Sequence, residues 1–274
     1  SWLDSGFDNV FITPNRGIHK KLTKYAFLNL LHPFQPFIVG QKVTAPKIAL
    51  KYEIPLIFYG ENPAEYGNNL EDNFNPLMDT NYFTSTEEDK DDFFLSGYSK
   101  TQLIEKNIMT ENDFNFYSPI PREEIIDSDL KVYYMSYFLK WEPQDNYFYA
   151  ATNCGFRPAE QRTVGSYSKY SSIDDKIDMF HYYTLLIKFG IGRATYDASQ
   201  EIRNDRITRE EGISLVKSYD TEFPDRYFQD FLKYIDISEN DFWEAIEKFR
   251  SSHLWTKIDG NWQLKNPVWK DNDL

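Results

Sequence analysis

Residues 54–62 read Ile54-Pro55-Leu56-Ile57-Phe58-Tyr59-Gly60-Glu61-Asn62. A continuous apolar run of this length, stopped by a glycine and two polar residues, fits a strand buried on both faces of a parallel sheet. Ligands of open parallel sheets bind beyond the carboxyl ends of the strands. Gly60, Glu61 and Asn62 lie at such an end, as do Thr13 and Asn15 after the apolar run Val10-Phe11-Ile12.

Working outward, the pattern predicts a strand over 10–12, a turn at Thr13-Pro14-Asn15, a helix over 19–31 and a second helix over about 39–52. Residues 68–95 carry Glu71, Asp72, Asp79, Glu87, Glu88, Asp89, Asp91 and Asp92 against Lys90, which reads as a solvated insertion or lid. A short helix is predicted over 98–107, a strand over 131–140, and a helix over 143–153 closed by Gly155. The remainder reads as helical. Ser172, Thr208 and Ser238 each precede an acidic residue three positions on, which predicts three helix starts. The expected organisation is an α/β domain over 1–140 with the insertion, then a mainly helical region over 141–274.

The composition bounds what such a chain does. Its 274 residues are 41% hydrophobic, enough to bury a core, and the formal net charge is −13. Nucleic acid and anionic membrane surfaces are poor partners for that charge, since no basic stripe interrupts it. No apolar run reaches the ~18 residues that span a bilayer. The single cysteine, Cys154, excludes an internal disulfide and fits a reducing cytoplasm. It has no basic activator nearby in sequence, so buried packing is the expected role.

Charged, aromatic and glycine residues concentrate between Gly165 and Asp220. His181 sits on a helical stripe, where the alternatives are a satisfied packing residue and a general acid/base or substrate ligand. Lys188 and Arg193 bracket the turn Phe189-Gly190-Ile191-Gly192, where cations can hold a diphosphate. Asp197 comes four residues after Arg193, so an ion pair along one helical face is the competing reading. Arg203, Arg206 and Arg209 read as structural partners of Glu210, Glu211 and other acids. Gln41, expected to open a helix with Lys42, can orient an amide. Glu61, Asn62 and Glu65 supply hard oxygens suited to Mg²⁺ and its phosphates, unless Gly60 merely turns the chain and Glu61 caps the next segment.

Four ordered motifs carry a likeness: Thr13-Pro14-Asn15; the string from His32 to Gln41, HPFQPFIVGQ; Tyr59-Gly60-Glu61-Asn62 with Glu65-Tyr66-Gly67; and the block from Gly165 to Asp220. Together they resemble the N-acetyl sugar amidotransferases of bacterial surface-polysaccharide (LPS, O-antigen) and nonulosonic-acid pathways, over most of residues 6–224.

The resemblance implies a parallel-sheet PP-loop ATP-pyrophosphatase fold, of the adenine nucleotide alpha hydrolase type. It implies conversion of a sugar acetamido group to an acetamidino group, with ATP and Mg²⁺ as cofactors and a glutaminase subunit supplying ammonia. ATP would adenylate the amide oxygen and ammonia would displace AMP, because an amide oxygen leaves poorly unless it is activated. In these terms Glu61 and His181 are the expected catalytic residues. Thr13, Asn15, Gly60, Glu61, Asn62 and Glu65 would face the nucleotide, with Glu61 and Glu65 on Mg²⁺. Gln41, Tyr66, Lys188, Arg193 and Asp197 would hold an acetamido sugar or nucleotide sugar.

The family's Ser-Gly-Gly-x-Asp-Ser loop, whose backbone N–H groups hold pyrophosphate, is not in this sequence; Ser5-Gly6-Phe7-Asp8 is its nearest approach. The cysteine motifs of family members are missing as well. With the opening SWLDSGFDN, this leads to the expectation of an N-terminally truncated member lacking its first strand or strands, about 30 residues or more, and inactive alone. Two rivals stand beside it. A PP-loop enzyme of other adenylating chemistry is one, though sulfur transfer would call for more reactive cysteines. A non-catalytic sugar-binding or regulatory module is the other.

Overall fold

The computed structural model describes residues 5–60, 74–86 and 93–270. The chain divides into two compact units, one of residues 13–30 and 34–141, the other of residues 142–274 together with 31–33 and the stretch up to Ile12.

The first unit is mixed α/β. Helix α1 (Arg16–Leu30) begins three residues before the predicted start because the Asn15 carboxamide oxygen accepts the N–H groups of Gly17 and Ile18, at 3.0 and 3.3 Å. It buries Leu22, Ala26 and Phe27 on one face. Helix α2 (Gln35–Lys51) also starts early, with Pro36 in its first turn, where a missing N–H costs nothing. Gly40 lets Phe116 press against α2, since a Cβ there would lie 2.2 Å from Phe116 Cε1.

Strand β1 (Leu56–Tyr59) pairs in parallel with a later strand over Lys131–Tyr134, Leu56 opposite Lys131 and Tyr59 opposite Tyr134. A parallel pair requires a long crossover, and the intervening chain supplies it. That chain includes β2 (Thr84–Ser85), the hairpin β3 (Phe94–Leu95) with β4 (Tyr98–Ser99), helix α3 (Lys100–Glu105) behind a Ser99–Gln102 capping box, β5 (Ile120–Pro121) and α4 (Arg122–Ile126). The strand over Lys131–Tyr134 is therefore β6, and β2 and β5 form a second short parallel pair. Val43, Tyr59, Met78, Phe83, Ile120, Val132 and Tyr134 form one core cluster.

Several expectations change here. Residues 10–12 form no strand; Val10, Phe11 and Ile12 are exposed. Strand β1 is not buried on both faces, because Leu56 and Phe58 are 46% and 42% exposed on the side away from Tyr59. Strand β6 stops at Tyr134, where a 3₁₀ turn over Met135–Tyr137 takes over. The acidic stretch at 68–95 is not uniformly solvated, since Met78, Phe83 and Leu95 are buried; residues 61–73 and 87–92 lie outside the described residues.

The second unit is mainly helical: α5 (Pro143–Asn153), α6 (Asp178–Phe189), α7 (Arg193–Arg203), α8 (Arg209–Tyr219), α9 (Phe228–Ile235) and α10 (Glu239–Phe249). Gly155 stands just past the end of α5 at φ 67°. Thr208 and Ser238 make the predicted capping boxes with Glu211 and Asp241. Ser172 opens no helix; α6 begins at Asp178, and the Ser172 hydroxyl bonds the Asp178 carboxylate instead. An aromatic cluster packs α6, α9 and α10, with Phe180 stacked on Phe231 at 4.2 Å and Phe228 against Phe242 at 4.9 Å.

The chain then forms an antiparallel hairpin, β7 (Trp255–Ile258) and β8 (Asn261–Leu264), where only helix was expected. Its two-residue turn, Asp259-Gly260, has φ 49° and 81°, the positive values that a type I′ turn demands. Cys154 is exposed, not buried. Among the described residues no helix is long and apolar enough to cross a membrane.

Candidate functional site

The turn between α6 and α7 builds the densest polar cluster of the second unit. Gly190 ends α6 in the left-handed region at φ 73°, and Gly192 caps α7. The buried Asp220 carboxylate accepts the Gly192 and Thr195 N–H groups, both at 2.9 Å, and the Thr195 hydroxyl. A Cβ on Gly192 would lie 2.6 Å from the Asp220 carbonyl oxygen, so only glycine admits this approach. Asp220 thereby fills the positive end of α7. Burial still pushes its pKa up, against the pull of those N–H groups.

Arg193, the first residue of α7, is the hub. Its Nε donates to Asp197 Oδ1 at 3.0 Å, the predicted pair along one helical face. Its Nη1 donates to Ser172 Oγ at 3.1 Å and lies 3.4 Å from Asp178 Oδ2, and the guanidinium stands 4.3 Å from the Tyr182 ring centroid. The Ser166 hydroxyl bonds the other Asp197 oxygen. One cation thus faces two carboxylates in a poorly solvated site, and desolvation pushes Asp178 up to about 6 although Arg193 pulls it down. Burial also raises Glu201, Tyr167 and Tyr170, the last to about 12.

Beside this hub, His181 is held in its neutral form. Burial lowers its pKa to about 3, aided by His32, Arg193 and Lys188. His32 stacks on it with ring centroids 5.0 Å apart, and burial lowers His32 to about 4. Lys188 lies over the Phe189 and Phe249 rings at 5.1 and 6.0 Å, and burial lowers its pKa. His181, Lys188, Arg193 and Asp197 are thus brought into one electrostatic neighbourhood. The cleft at its edge, lined by Gly165, Tyr182, Tyr183, Arg193, Asp220 and Glu222 among others, encloses about 10 Å³, scarcely room for one water. Arg206 pairs with Glu142, just before α5, and with Asp145 in its first turn, rather than with Glu210 or Glu211.

In the first unit, Gln41 lies inside α2 rather than at its start, and its carbonyl oxygen accepts the Tyr59 hydroxyl at 2.9 Å. Lys42, next to it, stands 4.8, 5.7 and 5.8 Å from the rings of Tyr59, Tyr134 and Tyr82, at the carboxyl ends of β1 and β6. Sequence reasoning named Lys42 without assigning it this place; the three tyrosines meet only in the fold. Thr13 and Gly60 are exposed. Glu61, Asn62, Glu65 and Tyr66 lie outside the described residues.

The Asn15 side chain caps α1 by taking its first N–H groups. Among the described residues, no group of three or more His, Cys, Asp or Glu side chains could hold a metal ion.

Residues 164–268 match a family model described as "LPS biosynthesis protein WbpG-like, C-terminal domain". The matched segment is under half of the chain and contains the Arg193 hub, the aromatic cluster and the β7–β8 hairpin. No curated protein matches the chain. The family match supports a biosynthetic role in LPS formation.

Proposed function

We propose that the chain serves LPS or O-antigen biosynthesis, or the related making of nonulosonic acids, as an N-acetyl sugar amidotransferase of the PP-loop type. It would replace the oxygen of a sugar acetamido group by nitrogen, using ammonia from a partner glutaminase, in the cytoplasm. The observation that carries this reading is the match of residues 164–268 to the C-terminal domain of a WbpG-like LPS biosynthesis protein. The parallel β1–β6 pair is compatible with the α/β sheet such an enzyme requires.

ATP and Mg²⁺ belong to the proposal as cofactors, with Glu61 and Glu65, the expected Mg²⁺ ligands, outside the described residues. What the described residues contribute is electrostatic. Arg193, locked between Asp178 and Asp197, is a fixed cation, and His181 beside it stays neutral at physiological pH.

The Arg193 cleft, too small to admit a substrate, favours a second reading without turnover there, a regulatory or sugar-binding module whose ligand sits elsewhere. One assay separates the two. The intact gene product is incubated with an acetamido nucleotide sugar, ATP, Mg²⁺ and ammonium, and AMP and sugar products are monitored by mass spectrometry. Ammonia-dependent AMP release, matched by a product carrying NH in place of O, is the expected result. Sugar binding unaffected by ATP, with neither product formed, would overturn the enzyme reading.

A further inference from the structure

Two cations that line cavities in this chain differ in what surrounds them. Arg250 stands in a cavity of about 420 Å³ beside α6 and the β7–β8 hairpin, and its charge is fully answered there. Glu247 pairs with it, Tyr183 hydrogen-bonds with it, and the Trp255 and Trp262 rings cover it at 4.6 and 5.0 Å. Lys47 of α2 has no such company. It is half-buried in the first unit, and its Nζ donates one hydrogen bond, to the Asn115 carbonyl oxygen at 2.9 Å. Among the described residues no carboxylate forms an ion pair with it.

Lys47 lines a groove of about 430 Å³ with Leu50, Lys51, Pro119, Ile120, Pro121 and Glu124. Four of those neighbours are apolar, so they give an ammonium neither water nor acceptors. Burial accordingly lowers the Lys47 pKa to about 8. The charged groups that share the groove are Lys51 and Glu124. Lys51 comes one helical turn after Lys47 and is exposed.

The groove lies away from the carboxyl ends of β1 and β6. Helix α2 leads through residues 52–55 into the start of β1, so its own carboxyl end stands at the amino end of that strand. Lys47 is five residues beyond Lys42 in that direction, about 7 Å along the helix. What happens at Lys47 is therefore independent of the reaction proposed above.

We infer that Lys47 is an acylation site, a nucleophilic amine that takes an acyl group from a small acyl phosphate entering the groove. The Nζ lone pair attacks the carbonyl carbon and a C–N bond forms; the C–O bond to the phosphate breaks, and inorganic phosphate leaves with the amine proton. The apolar walls suit the acyl group, and Lys51 offers its charge to the phosphate. The product keeps one N–H for the Asn115 carbonyl and no longer carries a half-buried charge, so the amide suits this place better than the ammonium does.

The test treats the folded full chain with acetyl phosphate and follows each site by mass spectrometry of chymotryptic peptides. Cleavage after Leu50 places Lys47 and Lys51 on different peptides. At about pH 7.5 an amine like Lys47 is about one quarter free base, against about one thousandth for an ordinary lysine. A less basic amine also attacks more slowly, so Lys47 should be acetylated about tenfold faster than Lys51. Its rate should level off above about pH 8, where that of an ordinary exposed lysine still climbs about tenfold per pH unit. In urea, where the groove is lost, the two rates should become equal. Acetylation of Lys47 no faster than of Lys51, a rate that keeps climbing above about pH 9, or the same advantage in urea would overturn the inference.

Discussion

The buried histidines should make the second unit sensitive to acid. His181 and His32 have pKa values of about 3 and about 4 in the folded chain, against 6.5 for the free side chain. Between those values the unfolded chain binds protons that the native chain refuses. The stability each contributes is therefore complete above 6.5 and lost as the pH falls through the folded values. From about pH 7 to about pH 5 the loss is about 2 kcal/mol per histidine. Asp178 acts in the opposite sense. Its folded value of about 6 lies above 3.8, so its contribution is complete below 3.8 and is lost as pH rises through about 6. Acidification over the same interval returns about 1 kcal/mol through Asp178. Among these three groups the histidines win by about 2 to 3 kcal/mol, while Asp175, Glu201 and Asp220, also raised by burial, act in the sense of Asp178, so the histidine share is read from the variant. The assay is urea unfolding at the two pH values, read by the fluorescence of Trp243, Trp255, Trp262 and Trp269 in this unit. His181→Gln should reduce the pH dependence by about 2 kcal/mol. A pH dependence in the variant equal to that of the parent chain would refute the reasoning.

Other perturbations act through single contacts. Gly192→Ala drives a Cβ to 2.6 Å from the Asp220 carbonyl oxygen and should cost about 1–3 kcal/mol in urea melts. Ser238→Ala removes the side-chain acceptor for the Asp241 N–H and should cost about 1 kcal/mol, rescued by Ser238→Asp. Cys154 is exposed and should react fully with a maleimide in the native protein, at the rate seen in urea; protection until unfolding would contradict its placement.

The elements fixed by local chemistry were legible in the sequence. The capping boxes at Thr208 and Ser238, the glycine after α5 and the Arg193–Asp197 pair need only residues a few positions apart. The strand at 56–59 was visible as an apolar run, but its burial was not, because that depends on what covers each face. The apolar residues at 10–12 formed no strand, since a strand exists only with a partner. The β7–β8 hairpin had a signal that went unused, the Asp259-Gly260 pair between two short runs containing tryptophan. The site was the least legible part. That Asp220 would fill the start of α7, that Arg206 would find Glu142 across 64 residues, and that His32 would stack on His181 are tertiary facts without a local trace. The pocket around Arg250 escaped notice for the same reason: α6, the residue after α10 and the unexpected hairpin build it jointly.

The most direct test of the account is made in the organism that carries the gene. The gene is deleted and the surface polysaccharide analysed by mass spectrometry. The account predicts that an acetamidino sugar becomes the corresponding acetamido sugar, and that the intact gene restores it. A polysaccharide identical in sugar composition and mass before and after deletion would contradict the central claim.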